Sequence, residues 1–211
     1  MARSFTASLD RVSTGAFTAP AAFSVAWWQT AGTDFRCNWR FRDDSLRGLN
    51  GGATETYFDA VWTISGFARY IATVANRTGW RHYCWVHDGT TSAPLCYQDG
   101  VSLTVTGGPT VGTRAVPTAA LDLGGQNVAN QQFGGSMGYV SMYNVVLTAT
   151  EVLEAMRHGY VARGLVGYWP LTGDATEPDY SSLKRAGTVT GSTVVGGPPV
   201  APYLPARSAV G

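Results

Sequence analysis

The chain has 211 residues, of which only 14% are charged, with a net charge of +1, 26 glycines, 7 tryptophans, 10 tyrosines and 8 phenylalanines. That length suits one domain and buries roughly 70–75% of the unfolded surface, enough to need no disulfide or metal. The balance excludes a global field for nucleic acid or membrane. Few charges, many glycines and many aromatics also argue against coiled coil, helical bundle or charged disordered tail, and for strands and turns.

The first residues, Met1-Ala2-Arg3-Ser4-Phe5-Thr6, lack the apolar run of a signal peptide. No stretch approaches the roughly 18 apolar residues of a membrane span. A soluble protein made in a cytoplasm is the expectation. Strands are expected over residues 23–29, 60–65, 67–75, 121–123, 138–143 and 165–169. Phe35, Cys37, Trp39 and Phe41 alternate with Arg36, Asn38, Arg40 and Arg42, the pattern of a half-buried antiparallel strand. Trp80, His82, Cys84 and Val86 alternate in the same way with Arg81, Tyr83, Trp85 and His87. On this reading the first set of each strand faces the core, and His82 is a buried core histidine. Asp99-Gly100 between two strand-like runs predicts a tight hairpin.

One helix is expected. Thr148-Ala149-Thr150-Glu151 is a capping box. Val152, Leu153, Met156 and Tyr160 then share one side at helical spacing, with Gly159 as the stop signal. The fold class that follows is all-β: a two-sheet antiparallel jelly-roll sandwich with one short helix near residues 149–158. The sandwich is expected to fill residues 1–195. Beyond it, Pro198, Pro199, Pro202, Tyr203 and Pro205 predict an extended arm over 196–211, lying on its own sandwich or on a neighbouring chain. Cys37, Cys84 and Cys96 are odd in number and show no metal-ligand spacing, so buried free thiols are expected.

Several motifs recur in a telling order: Phe23-Ser24-Val25-Ala26-Trp27-Trp28, Trp80-Arg81-His82, Tyr97-Gln98-Asp99-Gly100, Phe133-Gly134-Gly135-Ser136-Met137-Gly138-Tyr139 and Leu147-Thr148-Ala149-Thr150-Glu151-Val152. Their order resembles the laminin-G-like jelly roll of the concanavalin A-like lectin/glucanase superfamily, over residues 3–160. Leu165-Val166-Gly167-Tyr168-Trp169 and Gly187-Thr188-Val189-Thr190-Gly191 look like that module's opening strands placed last, a permuted order associated with bacterial and phage structural proteins. The resemblance implies a sandwich used for binding or assembly, in some members with calcium.

Catalytic chemistry finds little support. Glucanases of that superfamily carry a Glu-x-Asp-x-x-Glu strand, and retaining hydrolysis needs two carboxyls about 5–5.5 Å apart. The four glutamates, Glu55, Glu151, Glu154 and Glu177, do not form it, and Glu55 and Asp59 on one strand would stand some 13 Å apart. Gly134-Gly135-Ser136-Met137-Gly138 imitates a nucleophile elbow, but a strand follows it where that motif requires a helix. No enzyme is expected, and a glycan hydrolase is the remote alternative. Asp43, Asp44 and Asn50 supply oxygen ligands of the sort calcium takes, but calcium needs six to eight oxygens, so solvated loop carboxylates paired with Arg40 or Arg42 are the favoured reading; no other cofactor is indicated.

The expected binding surface combines an outward arginine ladder, Arg36, Arg40 and Arg42, with outward Arg81, Tyr83 and Trp85. Arginine and aromatic side chains are enriched at interfaces, and aromatic faces also stack on sugars. The function that the resemblance implies, with the missing catalytic acids and the extended arm, is a non-enzymatic virion surface component of a phage, a capsid decoration or fibre-associated protein. It would self-associate, for instance as a trimer, and dock on capsid or tail proteins. The alternative is a lectin-like module that binds host-surface glycans in adhesion.

Overall fold

The computed structural model describes residues 1–7, 9–32, 36–43, 45–51, 54–62, 66–74, 77–90, 92–108, 114–125, 133–173 and 175–200. In chain order the elements are β1 (Ala2–Phe5), β2 (Arg11–Thr18), β3 (Phe23–Gln29), β4 (Cys37–Phe41), β5 (Leu46–Asn50), β6 (Glu55–Trp62), β7 (Gly66–Thr73), β8 (Arg81–His87) and β9 (Leu95–Gln98). There follow β10 (Val101–Leu103), β11 (Val105–Gly107), β12 (Thr118–Leu123), β13 (Gly135–Tyr143), α1 (Ala149–His158), β14 (Leu165–Trp169), β15 (Thr176–Glu177), β16 (Gly187–Thr190) and β17 (Thr193–Val195).

Two antiparallel sheets form the sandwich. The eight-stranded sheet runs β10-β9-β8-β3-β13-β1-β17, with β14 also paired to β13; the nine-stranded sheet runs β11-β7-β6-β5-β4-β12-β2-β16-β15. The last strands are shared out, β15 and β16 to one sheet and β17 to the other, where it pairs with β1. Buried Arg3 and Glu177, Nε to Oε2 at 3.2 Å, tie the N-terminal strand to this closing segment.

The expected elements form for the expected reasons. At the hairpin, Gln98 pairs with Val101, and Asp99 (φ 51°) and Gly100 (φ 80°) are both left-handed, the backbone a two-residue I′ turn demands. The capping box is complete, with the Thr148 hydroxyl accepting from the Glu151 N–H and the Glu151 carboxylate accepting from the Thr148 N–H, and Gly159 ends α1 at φ 83°. Ser136 sits within β13, opposite Ser4 of β1, so the Gly134–Gly138 run is strand, not nucleophile elbow. Cys37, Cys84 and Cys96 are free and buried.

The core between the sheets is aromatic. Phe58 lies at its centre, with ring centroids 5.8–6.3 Å from Phe23, Trp39, Tyr70, Trp85 and His87. Trp27 stacks on Tyr83 and meets Trp39 edge-on. Gly48 lies opposite Trp39, where a Cβ would fall 2.4 Å from the indole nitrogen.

Two face assignments from the alternating pattern are corrected. In β8, Tyr83 and Trp85 point into the sandwich at 1% exposure each, while His82, Cys84 and Val86 occupy the opposite face. That second face is also buried, because α1 covers it through Val152 and Ala155. Alternation separates two faces but cannot say which is inner when both are covered. In β4, a register irregularity between Cys37 and Trp39 puts Cys37 with Leu49, Tyr57 and Ile71, whereas Trp39 and Phe41 join the core. Phe35 lies outside the described residues.

The outer faces of the two sheets differ. That of the eight-stranded sheet is sealed by α1 and by a second aromatic cluster of Trp28, Tyr139 and Tyr168, flanked by Trp80, Tyr160, Tyr180 and Val200. Pro198 is buried, and its ring lies 3.6 Å from where a Gly138 Cβ would be, so the root of the arm packs on its own chain. Pro199 is exposed; Pro202, Tyr203 and Pro205 lie outside the described residues. The outer face of the nine-stranded sheet, on which α1 does not pack, carries a row of polar and charged side chains beside a patch of buried Cys37, Leu49 and Tyr57 with Ile71 packed against them.

Candidate functional site

A polar row crosses the open face, one residue per strand. Thr188, Ser13, Asp122, Arg40, Arg47, Asp59 and Arg69 are successive cross-strand partners from β16 through β2, β12, β4, β5 and β6 to β7. Asp122 and Asp59 have no exposed surface, and arginines hold both. Asp122 faces Arg40 at 3.8 Å and Arg42 at 3.1 Å; Asp59 faces Arg47 at 3.1 Å and Arg69 at 2.8 Å. Four arginines therefore divide two carboxylates. The bond to Asp59 pushes the Arg69 guanidinium above its ordinary pKa.

Arg40 and Arg42 of the ladder expected from sequence lie on the outer face but both turn to Asp122. Arg40 is 3% exposed and turned to Asp122, Arg36 is half-buried, and only Arg42, with 41% of its side chain exposed, reaches solvent freely. The other half of the expected surface lies on the other sheet. There Arg81 pairs with Asp99 at 3.0 Å, and Tyr83 and Trp85 are core residues. Burial lifts the Tyr83 hydroxyl to about 12. The structure does not bring these six residues together, and among the described residues the large exposed apolar side chains are Met, Leu and Val, none of them aromatic. A stacking platform at Tyr83 and Trp85 is excluded.

The calcium candidates do not converge either. Asp43, in the β4–β5 turn, accepts from the Ser45 N–H and hydroxyl, while buried Asn50 ends β5 and accepts from Gln29. The length of β5, some 13 Å at about 3.3 Å per residue, separates them. Asp44 lies outside the described residues, among which no group of three or more His, Cys, Asp or Glu could hold a metal ion.

What the face does contain is a cleft of about 320 Å³ at one end of the polar row. Its origin is local. Between Ala120 and Asp122 the β12–β2 register shifts, so β2 carries one extra residue at Thr14–Gly15. The Thr14 hydroxyl accepts the N–H of Leu121 that the irregularity would otherwise leave unpaired. Such bulges bend a strand and interrupt its ladder. Ser13, Thr14 and Gly15 form one side of the cleft, Thr188 and Thr190 of β16 the other, and Arg11 and Arg42 line it too. Among the described residues, no acidic side chain lines it. Arg42 reaches over β12 to donate from Nη2 to Ser13 Oγ and Asp122 Oδ1, and Ser13 Oγ donates in turn to Asp122 at 2.5 Å. A second cleft of about 340 Å³, near Phe17, Val166 and Leu183, is more apolar, and the Arg185 guanidinium covers the Phe17 ring at 3.9 Å.

Sequence reasoning singled out Arg42 but missed Arg11, Ser13, Thr188, Asp59 and Asp122. The available signal was an acid inside an apolar strand, Leu121-Asp122-Leu123 and Phe58-Asp59-Ala60. Such an acid needs a buried cation, but its partners stand 10 to 80 residues away.

The fold is an antiparallel two-sheet β-sandwich with one helix. The solved structures it is similar to include a candidate carbohydrate-binding protein from Bacteroides ovatus, with a TM-score of 0.62 and 15% identity over 88% of this chain and 60% of that one. Another is the heptameric SAP-like pentraxin of Limulus polyphemus, with a TM-score of 0.52 and 14% identity over 73% and 80% of the two chains. A third is the CBM40 domain of the Ruminococcus gnavus IT-sialidase bound to α2,3-sialyllactose, with a TM-score of 0.50 and 11% identity over 72% and 97%. The chain spans less than two thirds of the Bacteroides protein. No family model and no curated protein matches the sequence. At these identities the likeness establishes the fold alone.

Proposed function

We propose that the chain is a carbohydrate-binding, lectin-like module with no catalysis of its own. The observation that carries this reading is the hydroxyl- and guanidinium-lined cleft on the outer face of the nine-stranded sheet. Sugars are recognised by a small number of placed polar groups in a concave site, and the opposite outer face is already occupied by α1 and the C-terminal segment. The solved structures of similar fold include a sialyllactose-bound domain and a candidate carbohydrate-binding protein, which supports the same reading. The carboxylates support a non-catalytic role. Asp59 and Asp122 are sealed in arginine pairs, Glu177 is buried against Arg3, and Glu151 is committed to the cap of α1. None of these is an adjustable acid beside open space.

The virion role implied by motif order has no structural observation of its own, and sugar binding is compatible with it. The test is a broad glycan array probed with labelled protein, with and without calcium. Binding to a defined glycan set, lost when Gly15 is replaced by Trp, is the expected result. A blank array in both conditions would overturn the reading.

A further inference from the structure

Within this sugar-binding reading, on which the inference rests, we propose that the cleft takes an acidic saccharide, holding its oxyanion with Arg11 and Arg42 and its neighbouring hydroxyls with Thr188 and Thr190.

The argument begins with unused donors. Arg42 donates through Nε and Nη2 to Asp122 and Ser13, which fixes the plane of its guanidinium, while Nη1 has no partner. Arg11 donates from Nη1 to the Leu9 carbonyl at 3.2 Å; its Nε is buried without a partner and its Nη2 makes no bond. Both side chains line the same cleft. A buried guanidinium N–H left without an acceptor costs free energy, and an oxyanion entering the cleft supplies the acceptor. The Thr188 and Thr190 hydroxyls make no hydrogen bond within the chain and face the same space, ready to donate to or accept from sugar hydroxyls.

Charge sets the class of ligand. The acid nearest the cleft along the polar row, Asp122, is fully buried and shared between Arg40 and Arg42. Among the described residues the lining is therefore cationic, with no carboxylate to repel or compete. Neutral sugars gain nothing from that, whereas charge-assisted bonds from arginine to a carboxylate are shorter and roughly twice as strong as neutral ones. Pre-orientation of Arg42 by Asp122 and Ser13 lowers the ordering cost of binding.

Gly15 offers a clean control. It lies on the floor of the cleft in exposed strand, and a Cβ built on it meets nothing within 4 Å. A side chain can therefore start from Gly15 into the cleft without contact at its Cβ. Arg11→Gln removes a lining charge without touching Asp122.

The test is calorimetric titration with matched pairs: trigalacturonate against its methyl ester, 3′-sialyllactose against lactose, and galactose 6-sulfate against galactose. The acidic member should bind about tenfold or more tightly, and weaken as salt rises from about 0.05 to about 0.5 M. The first two pairs read a carboxylate and the third a sulfate, and either response supports the proposal. Gly15→Trp and Arg11→Gln should abolish or weaken binding by the same order while circular dichroism and Tm stay near those of the parent. Equal affinity for both members of each pair, or acidic binding untouched by both variants, overturns the proposal and leaves the sugar-binding reading standing. Equal binding of polyglutamate overturns it as non-specific charge attraction. Failure of every saccharide here and on the array overturns both.

Discussion

Arg69 grips Asp59 with two parallel hydrogen bonds across the β6–β7 pair, Nε to Oδ1 at 2.8 Å and Nη2 to Oδ2 at 2.9 Å. Arg47 of β5 closes the other side of the same carboxylate at 3.1 Å. A carboxylate with no exposed surface is tolerable only with such partners, so Asp59 stitches three strands of the open face. Asp122 does the same for β2, β4 and β12.

The two ends of this clamp should respond unequally. Asp59→Ala leaves two guanidiniums facing each other and is expected to cost about 3 kcal/mol. Arg69→Ala removes a side chain that is 37% exposed and should cost about 1 kcal/mol, since Arg47 remains. Urea denaturation of the two variants reads both values. Equal costs would show that the carboxylate is no shared anchor.

Stability should fall on mild acidification. Burial pushes His82 down to about 3, and burial aided by Arg114 pushes His87 down to about 4, against about 6.5 for an unfolded histidine. The His87 Nδ1 also accepts the Gly89 N–H at 2.9 Å, a bond that protonation there would break. Both rings stay neutral in the fold while the unfolded chain takes up protons. Their stabilisation is therefore complete above about pH 6.5 and drains away as pH falls toward 4 and 3. From about pH 7 to about pH 5 each histidine should cost about 2 kcal/mol. Glu151, held down to about 2 by Arg163, gives up its contribution only below the ordinary carboxylate range, outside this window. Urea midpoints at the two pH values check the slope, and His82→Gln should remove about half of it. A flat profile would contradict the burial of both rings.

Trp85→Ala should act on folding and not on recognition. The indole lies 1% exposed against Phe58, and its loss is expected to cost about 3–5 kcal/mol. Thermal unfolding measures the cost. The fraction still folded should bind glycan as tightly as the parent; a binding defect in a fully stable variant would return Trp85 to the surface.

The cap of α1 is worth testing because that helix seals one outer face. Thr148→Ala removes the hydroxyl that receives the Glu151 N–H and should cost about 1 kcal/mol. No change in the urea midpoint would mean that packing of Val152 and Ala155 alone holds the helix.

Sequence alone determined what depends on neighbours a few residues apart. β3, α1 and β14 lie where their patterns placed them, and so does the Asp99-Gly100 turn, because alternation, capping and left-handed backbone are local properties. Composition fixed the all-β class. Only the tertiary structure decided the faces and the site. β8 is buried on both sides, so its alternation could not tell Tyr83 and Trp85 from an outer pair until α1 was seen to cover Cys84 and Val86, and Trp28 to pack on His82. Arg40 and Arg42 are engaged on the outer face because Asp122, 80 residues from Arg42, stands beside them on β12. The cleft depends on one extra residue in β2 and on β16 arriving from the far end of the chain. Cross-strand register joins residues by space and not by sequence, and that is why it could be read only in the folded sheet.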